Sequence, residues 1–318
     1  MSMSAKRLGA SRIPGMLVMF AGLLLLAAAV WLWRQGATAP APYRYAMDAP
    51  GQDEPERIAA ASGSLDLRTG RVLGEGSDQV LAHFATVESE AGPVLMRWQP
   101  AVDSPFLHMQ PDLGETTELA EVMARHIQPG TPVLAWWDIS RQLALLTNTG
   151  MAFDSAIGEP LFIPNIWRGL QDQVRSVEHA FWNIPDDAGQ AKRFEAFVQA
   201  LVMDEDSGIA ALRSLAEGRR AVLVLHVRDM IQLGQIAPDR LGVAFREFPA
   251  SGDVLGTVSG VRKWLADNDY AAYAAMRMPG QSVRAVALTD AQSGLTLAAR
   301  LLPFIGNAQH DVAGATLV

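Results

Sequence analysis

The 318-residue chain contains no cysteine. That one absence removes disulfides, thiolate metal centres, iron–sulfur ligation and the C-x-x-C-H attachment of c-type haem. Stability must therefore come from the core alone, and a thiol-free chain suits an oxidising compartment. Basic residues are also scarce, with 26 Lys and Arg against 34 Asp and Glu. Three of those cations, Lys6, Arg7 and Arg12, precede the first apolar stretch, so everything after Trp33 carries 23 basic against 34 acidic residues, a net −11. Nucleic-acid affinity is largely electrostatic and needs clustered Lys and Arg, so no nucleic-acid partner is expected; a cationic protein partner is compatible. Catalytic signatures are missing too: there is no G-x-S-x-G elbow and no Walker loop, and Gly74-Glu-Gly76-Ser lacks the third glycine of a dinucleotide turn. None of His83, His108, His126, His179, His226 and His310 forms an H-E-x-x-H pair or an i, i+4 pair, so neither a metal site nor a cofactor is expected.

What is present begins with 21 uncharged residues from Ile13 to Trp33. At about 1.5 Å per residue such a helix spans a hydrocarbon core of about 30 Å. Trp31 and Trp33 stand at its exit, where indole rings favour the headgroup layer, and the three leading cations hold the N-terminus inside. The expected organisation is a cytoplasmic N-terminus at 1–13, a transmembrane anchor at 14–33 and a main domain translocated to the periplasm, in an inner-membrane protein of one pass. The competing reading is a cleaved signal peptide, whose apolar region usually spans about 7–15 residues. Here the run is longer and ends in Trp31-Leu-Trp-Arg34, and Pro40 would follow the only cleavage-like box, Ala37-Thr-Ala39.

Pro40, Pro42, Pro50 and Pro55 mark 34–58 as an extended tether. Residues 59–318 form the domain, with a C-terminal subdomain from about 250 as one way of dividing it. Short apolar runs predict strands at Val80–Thr86, Val94–Trp98, Pro132–Trp136, Ala221–Val227, Gly242–Phe248, Ser282–Leu288 and Leu295–Leu302. Asp112-x-x-Glu115 resembles a capping box opening a helix with Leu119, Val122, Met123 and Ile127 on one face. A second helix, about Gln190 to Met203, carries the stripe Phe194, Phe197, Val198, Leu201 and Val202. It stops in Asp204-Glu-Asp-Ser-Gly208, and a third, Ile209–Glu217, leads to the apolar run at Ala221. A run apolar on both faces belongs to a sheet covered by helices. The fold class is α/β, a mixed or parallel sheet flanked by helices.

The most distinctive segment is Pro132-Val-Leu-Ala-Trp-Trp-Asp-Ile-Ser-Arg-Gln142. A strand ending in two tryptophans and an aspartate places aromatic faces and a carboxylate at the carboxyl edge of a sheet, where α/β proteins bind ligands. Trp136, Trp137, Asp138 and Arg141 are the candidate binding residues. On the structural alternative, Asp138 caps a helix beginning at Ile139 and one tryptophan packs in the core. His226, three residues before Asp229, is the one histidine in a suggestive place, although a satisfied core or edge role is its commoner fate.

Two resemblances meet at this segment. Val133 to Gln142, with Leu146-Thr-Asn-Thr-Gly150 and Phe153-Asp154, resembles the W-W-D-x-G region of oligosaccharyltransferase catalytic subunits, with Ser140 in place of the motif glycine and without their many-helix membrane half. That likeness implies a peptide- or glycan-binding module without transferase activity. The cationic start, the single helix, the tether, Ala135-Trp-Trp-Asp-Ile-Ser-Arg-Gln142, Pro164-Asn-Ile-Trp167 and Leu302-Pro-Phe-Ile-Gly306 run over most of the chain. In these features it resembles the hydroxylamine oxidation protein HaoB family. This likeness implies an anchored accessory protein of periplasmic hydroxylamine and ammonia oxidation that acts by binding a partner, hydroxylamine oxidoreductase, and it transfers no catalytic residue to this chain. A hydrolase with an unrecognised site is the remaining alternative.

Overall fold

The structure, a computed structural model, describes residues 13–38, 40–49, 57–60, 63–102, 113–147, 149–154, 169–184, 188–249, 254–278 and 282–306. Helix α1, Ile13–Thr38, comes first, and its side chains from Met19 to Trp31 are exposed, with Phe20 and Leu26 each at 65%. The side chains described in α1 are those from Met19 to Trp31, and among the described residues no helix is long and apolar enough to cross a membrane.

Two antiparallel sheets follow, joined by a helical layer around a short parallel pair. The first sheet has the order β1-β4-β5-β6, built from β1 (Tyr43–Met47), β4 (Arg68–Gly74), β5 (Val80–Ser89) and β6 (Gly92–Pro100). A hairpin of β2 (Arg57–Ala60) and β3 (Gly63–Asp66) stands beside it. Two strands, β1 and β2, thus come from within 34–58 or at its end. Alternation along β5 explains how the sheet is covered on both faces. Ala82 and Phe84 pack with Val174 and Phe181 of α4 (Gln171–Trp182), and Ala85 and Val87 pack with Leu145 and Leu146. Gly70 has no room for a side chain: a Cβ there would lie 2.4 Å from the Phe84 ring.

The second sheet has the order β12-β10-β11-β9, with β9 at Val243–Pro249, β10 at Ala272–Met278, β11 at Ser282–Leu288 and β12 at Ile305–Gly306. In β11, Ala285 and Ala287 face α8 (Val254–Asn268), while Val286 and Leu288 face the central core. Between the sheets lie β7 (Val133–Leu134) and β8 (Val222–Leu223), paired in parallel, with Met151 bridged in parallel to Val133. Around them pack α2 (Leu113–His126), α3 (Trp137–Leu146), α5 (Ala188–Leu201), α6 (Glu205–Leu215) and α7 (Val227–Ile236). The α5 stripe is fully realised: Phe194, Phe197, Val198, Leu201 and Val202 are all buried in this core.

The mixed α/β class is as expected, but parallel pairing among the described residues is confined to the β7 neighbourhood. Three expectations are corrected. Leu295–Leu302 is not a strand: Thr296 Oγ1 accepts from the Ala299 amide and opens α9, Leu297–Leu301. The second helix does stop ahead of Asp204, but the third begins at Glu205 rather than Ile209, because the Asp204 carboxylate accepts the Ser207 amide at 3.0 Å and caps α6. The strand at Ala221 lasts two residues, because His226 and Asp229 form a capping box that starts α7. Asp112, and with it the expected box at α2, lies outside the described residues, as does Pro164–Trp167.

Candidate functional site

The chain runs α2-β7-α3 and, about 90 residues later, α6-β8-α7. The paired strands bring the N-termini of α3 and α7 to the same edge, the carboxyl end of the parallel pair, where open α/β sheets form crevices. From there α3 packs towards β6 of the first sheet and α7 towards β9, β10 and β11 of the second.

The first turns of these helices build a cluster of charged groups. Asp138 Oδ1 accepts the Ile139 amide at 2.7 Å and lies 3.6 Å from the Arg228 guanidinium, which in turn lies 3.4 Å from Asp229. All three residues are at most 9% exposed. Two buried carboxylates thus share one guanidinium. Burial, helped by the Asp138 charge and opposed by Arg228, pushes the Asp229 carboxyl up to about 6. Asp229 Oδ2 also accepts the His226 amide at 2.8 Å, and His226 Nδ1 accepts the Arg228 amide at 3.1 Å. The imidazole hydrogen therefore belongs on Nε2, which faces Glu115 of α2 at 3.9 Å. Burial and the Arg228 charge hold His226 down to about 4, so it is neutral at physiological pH. With Nδ1 filled and Nε2 protonated, His226 is not set up as a metal ligand. Among the described residues no group of three His, Asp or Glu could hold a metal ion.

The four sequence candidates have different surroundings. Trp136 is 1% exposed and meets Phe194 edge-on at 5.1 Å between ring centres. Arg141, 3% exposed, donates to the carbonyls of Ala91, Gly92 and Pro93 at 3.0, 3.2 and 2.8 Å. Together with Gln142 Nε2, which donates to the Leu95 carbonyl at 2.6 Å, it clamps α3 onto the β5–β6 turn. Asp138 belongs to the buried cluster. Trp137, the first residue of α3, alone of the four is not buried; it starts its helix at the same strand edge as the half-exposed His226, the N-cap of α7, whose Nε2 faces the exposed Glu115. Sequence reasoning had not connected Glu115 or Arg228 to this edge. A signal for the pairing existed: Val133-Leu134 precedes Gln142-Leu143 much as Val222-Leu223 precedes Gln232-Leu233.

A cleft of about 450 Å³ opens at the opposite, amino end of β7, lined by Pro132, Met151, Asp154, Gln190, Arg193 and Arg219 among others. None of Trp136, Trp137, Asp138 or Arg141 lines it.

The class these features define is a mixed α/β protein whose buried polar residues chiefly lock helix starts and sheet turns together. Its family is shown by sequence: residues 8–318 match the profile of the HaoA-associated protein HaoB, and the chain belongs to that family. No curated protein and no solved structure matches it.

Proposed function

We propose that the chain is an accessory protein of hydroxylamine oxidation in the periplasm, held at the inner membrane by α1, and that it acts by binding a protein partner, the hydroxylamine oxidoreductase HaoA. The observation that carries this reading is the family match over 8–318, whose description names an association with HaoA. The anchor is supported by 21 uncharged residues at 13–33 within a continuous helix whose described side chains are exposed. An apolar helix with leucines more than half exposed is at odds with water and matched to lipid. Three cations before it and none of the 34 acids there orient the N-terminus inwards.

The partner-facing surface is assigned to the rim of Trp137, His226 and Glu115. A half-buried tryptophan backed by a rigid core contributes contact area at little entropic cost, and such residues dominate interface energies. His226 adds no positive charge there at neutral pH, and with Glu115 and the net −11 beyond Trp33 the rim favours a cationic surface or side chain. The test is co-purification of the detergent-solubilised full-length chain with HaoA. Retention of the complex by the wild type and its loss on Trp137→Ala, with an unchanged melting profile, supports the reading. Absence of any complex with the wild type, or equal retention by the variant, contradicts it.

A further inference from the structure

Little free chain separates α1 from the first sheet. Helix α1 ends at Thr38, and β1 begins at Tyr43, hydrogen-bonded into the first sheet along its whole length, from Tyr43 opposite Gly74 to Met47 opposite Gly70. The Pro42 carbonyl accepts the Glu75 amide at 3.0 Å, the Tyr43 hydroxyl donates to Glu178 of α4, and Arg44 pairs with Asp78 at 3.3 Å. The chain is thus fastened to the β4–β5 turn, Glu75–Gln79, as soon as it leaves the helix. The free linker is far shorter than a tether running to residue 58 would be.

Chain geometry turns this into a distance limit. Five peptide steps from Thr38 to Tyr43 reach at most about 18 Å. The five helical residues after Trp33 rise about 7.5 Å. Tyr43, at the foot of the β4–β5 turn, therefore lies no more than about 26 Å from the level of Trp33, and the headgroup layer takes up about 5–7 Å of that. The β5–β6 turn, at the other end of the ten-residue β5, lies about 30 Å further along the sheet. That far turn is the one clasped by Arg141, on the α3 side of the partner rim.

We infer that the β4–β5 turn is the lipid-facing end of the domain, kept against the headgroup surface by linker length, while the β5–β6 turn and α3 face away from the bilayer. This rests on the anchoring reading above. Attraction by charge is not what holds it there, since Glu75 and Asp78 on the turn outnumber Arg44 and would be repelled by anionic lipid. The stance is consequently insensitive to salt.

The absence of cysteine makes the test direct, because a single introduced thiol is a unique label. Glu75→Cys and Glu90→Cys, both at exposed turn positions, are labelled with a donor fluorophore in the full-length chain and reconstituted in phosphatidylcholine vesicles bearing a headgroup acceptor. The expected result is energy transfer at least about twofold stronger from position 75, as a 30 Å separation along β5 implies. It should be unchanged in 0.5 M salt, on the order of a 4 Å screening length, and the contrast should vanish when about 15 Gly/Ser residues are inserted after Thr38. Equal or reversed transfer in a chain that resists carbonate extraction overturns the inference alone. Extraction by carbonate overturns the anchor, and the inference with it.

Discussion

Arg141→Ala separates a structural arginine from a recognition arginine. The guanidinium is buried, burial lowers its pKa only to about 10, and it stays charged while donating to three consecutive carbonyls 48 to 50 residues back along the chain. Hydrogen bonds to a charged donor contribute about 1.5–3 kcal/mol each, and carbonyls sharing one donor are not additive. Removal leaves three acceptors at a partly buried turn and loosens α3 from β6, a loss of about 4 kcal/mol. That is a large share of a total stability of about 5–15 kcal/mol. At about 2–4 °C per kcal/mol the melting temperature falls by about 10 °C. Arg141→Lys, a point charge able to reach fewer carbonyls, recovers about half of the loss. Calorimetry or circular dichroism melts of the full-length protein in detergent read both variants. A variant that melts within about 2 °C of wild type yet no longer binds its partner refutes the structural assignment and returns Arg141 to the interface.

Three further outcomes are expected. Gly70→Ala drives a methyl into the Phe84 ring and the Ala46 carbonyl, and should cost about 1–3 kcal/mol in a denaturant titration. Glu178 accepts from Tyr43, Tyr45 and Trp182, yet burial outweighs these bonds and raises its pKa. The folded state then keeps its proton to higher pH than the unfolded chain does, so stability is lost as pH rises through the folded pKa; Glu178→Gln should remove that loss. In the charged cluster two shifts oppose each other. On acidification from pH 6.5 to 4 the depressed His226 withdraws stability, because the unfolded histidine protonates first. The raised Asp229 adds stability from about pH 6 downwards, because the folded carboxyl protonates first. Asp229→Asn, which keeps an acceptor for the His226 amide, should expose the histidine loss as a steeper fall towards pH 4. Solvent at the 39% exposed imidazole holds that fall to about 1–2 kcal/mol.

Much of the fold was legible where periodicity was strong. The Phe194 to Val202 stripe and the runs that became β5, β6, β9 and β11 follow their apolar spacing directly. Strand β4 was not seen, because Arg68, Thr69, Gly70 and Arg71 offer no apolar alternation and its pairing is supplied by β1 and β5. Leu295–Leu302 was misread because one capping hydroxyl, Thr296, outweighs an apolar run of strand length. The site was legible as a segment but not as an arrangement. Sequence alone cannot show that the donors of Arg141 meet backbone carbonyls, which carry no residue signature. Nor can it show that Asp138 and Asp229 converge on Arg228, since that depends on β7 lying beside β8. Trp136 and Trp137 part company because a helix begins between them, sending one ring into the core and the other to its edge.

The central claim, that this HaoB-family chain binds HaoA through the Trp137 rim, is tested most directly by titrating the detergent-solubilised full-length protein against purified HaoA. Saturable binding that weakens about 30-fold on Trp137→Ala, the loss of a hot spot of about 2 kcal/mol, is the expected result. Failure of the wild type to bind, or identical affinity of the two chains, would contradict it.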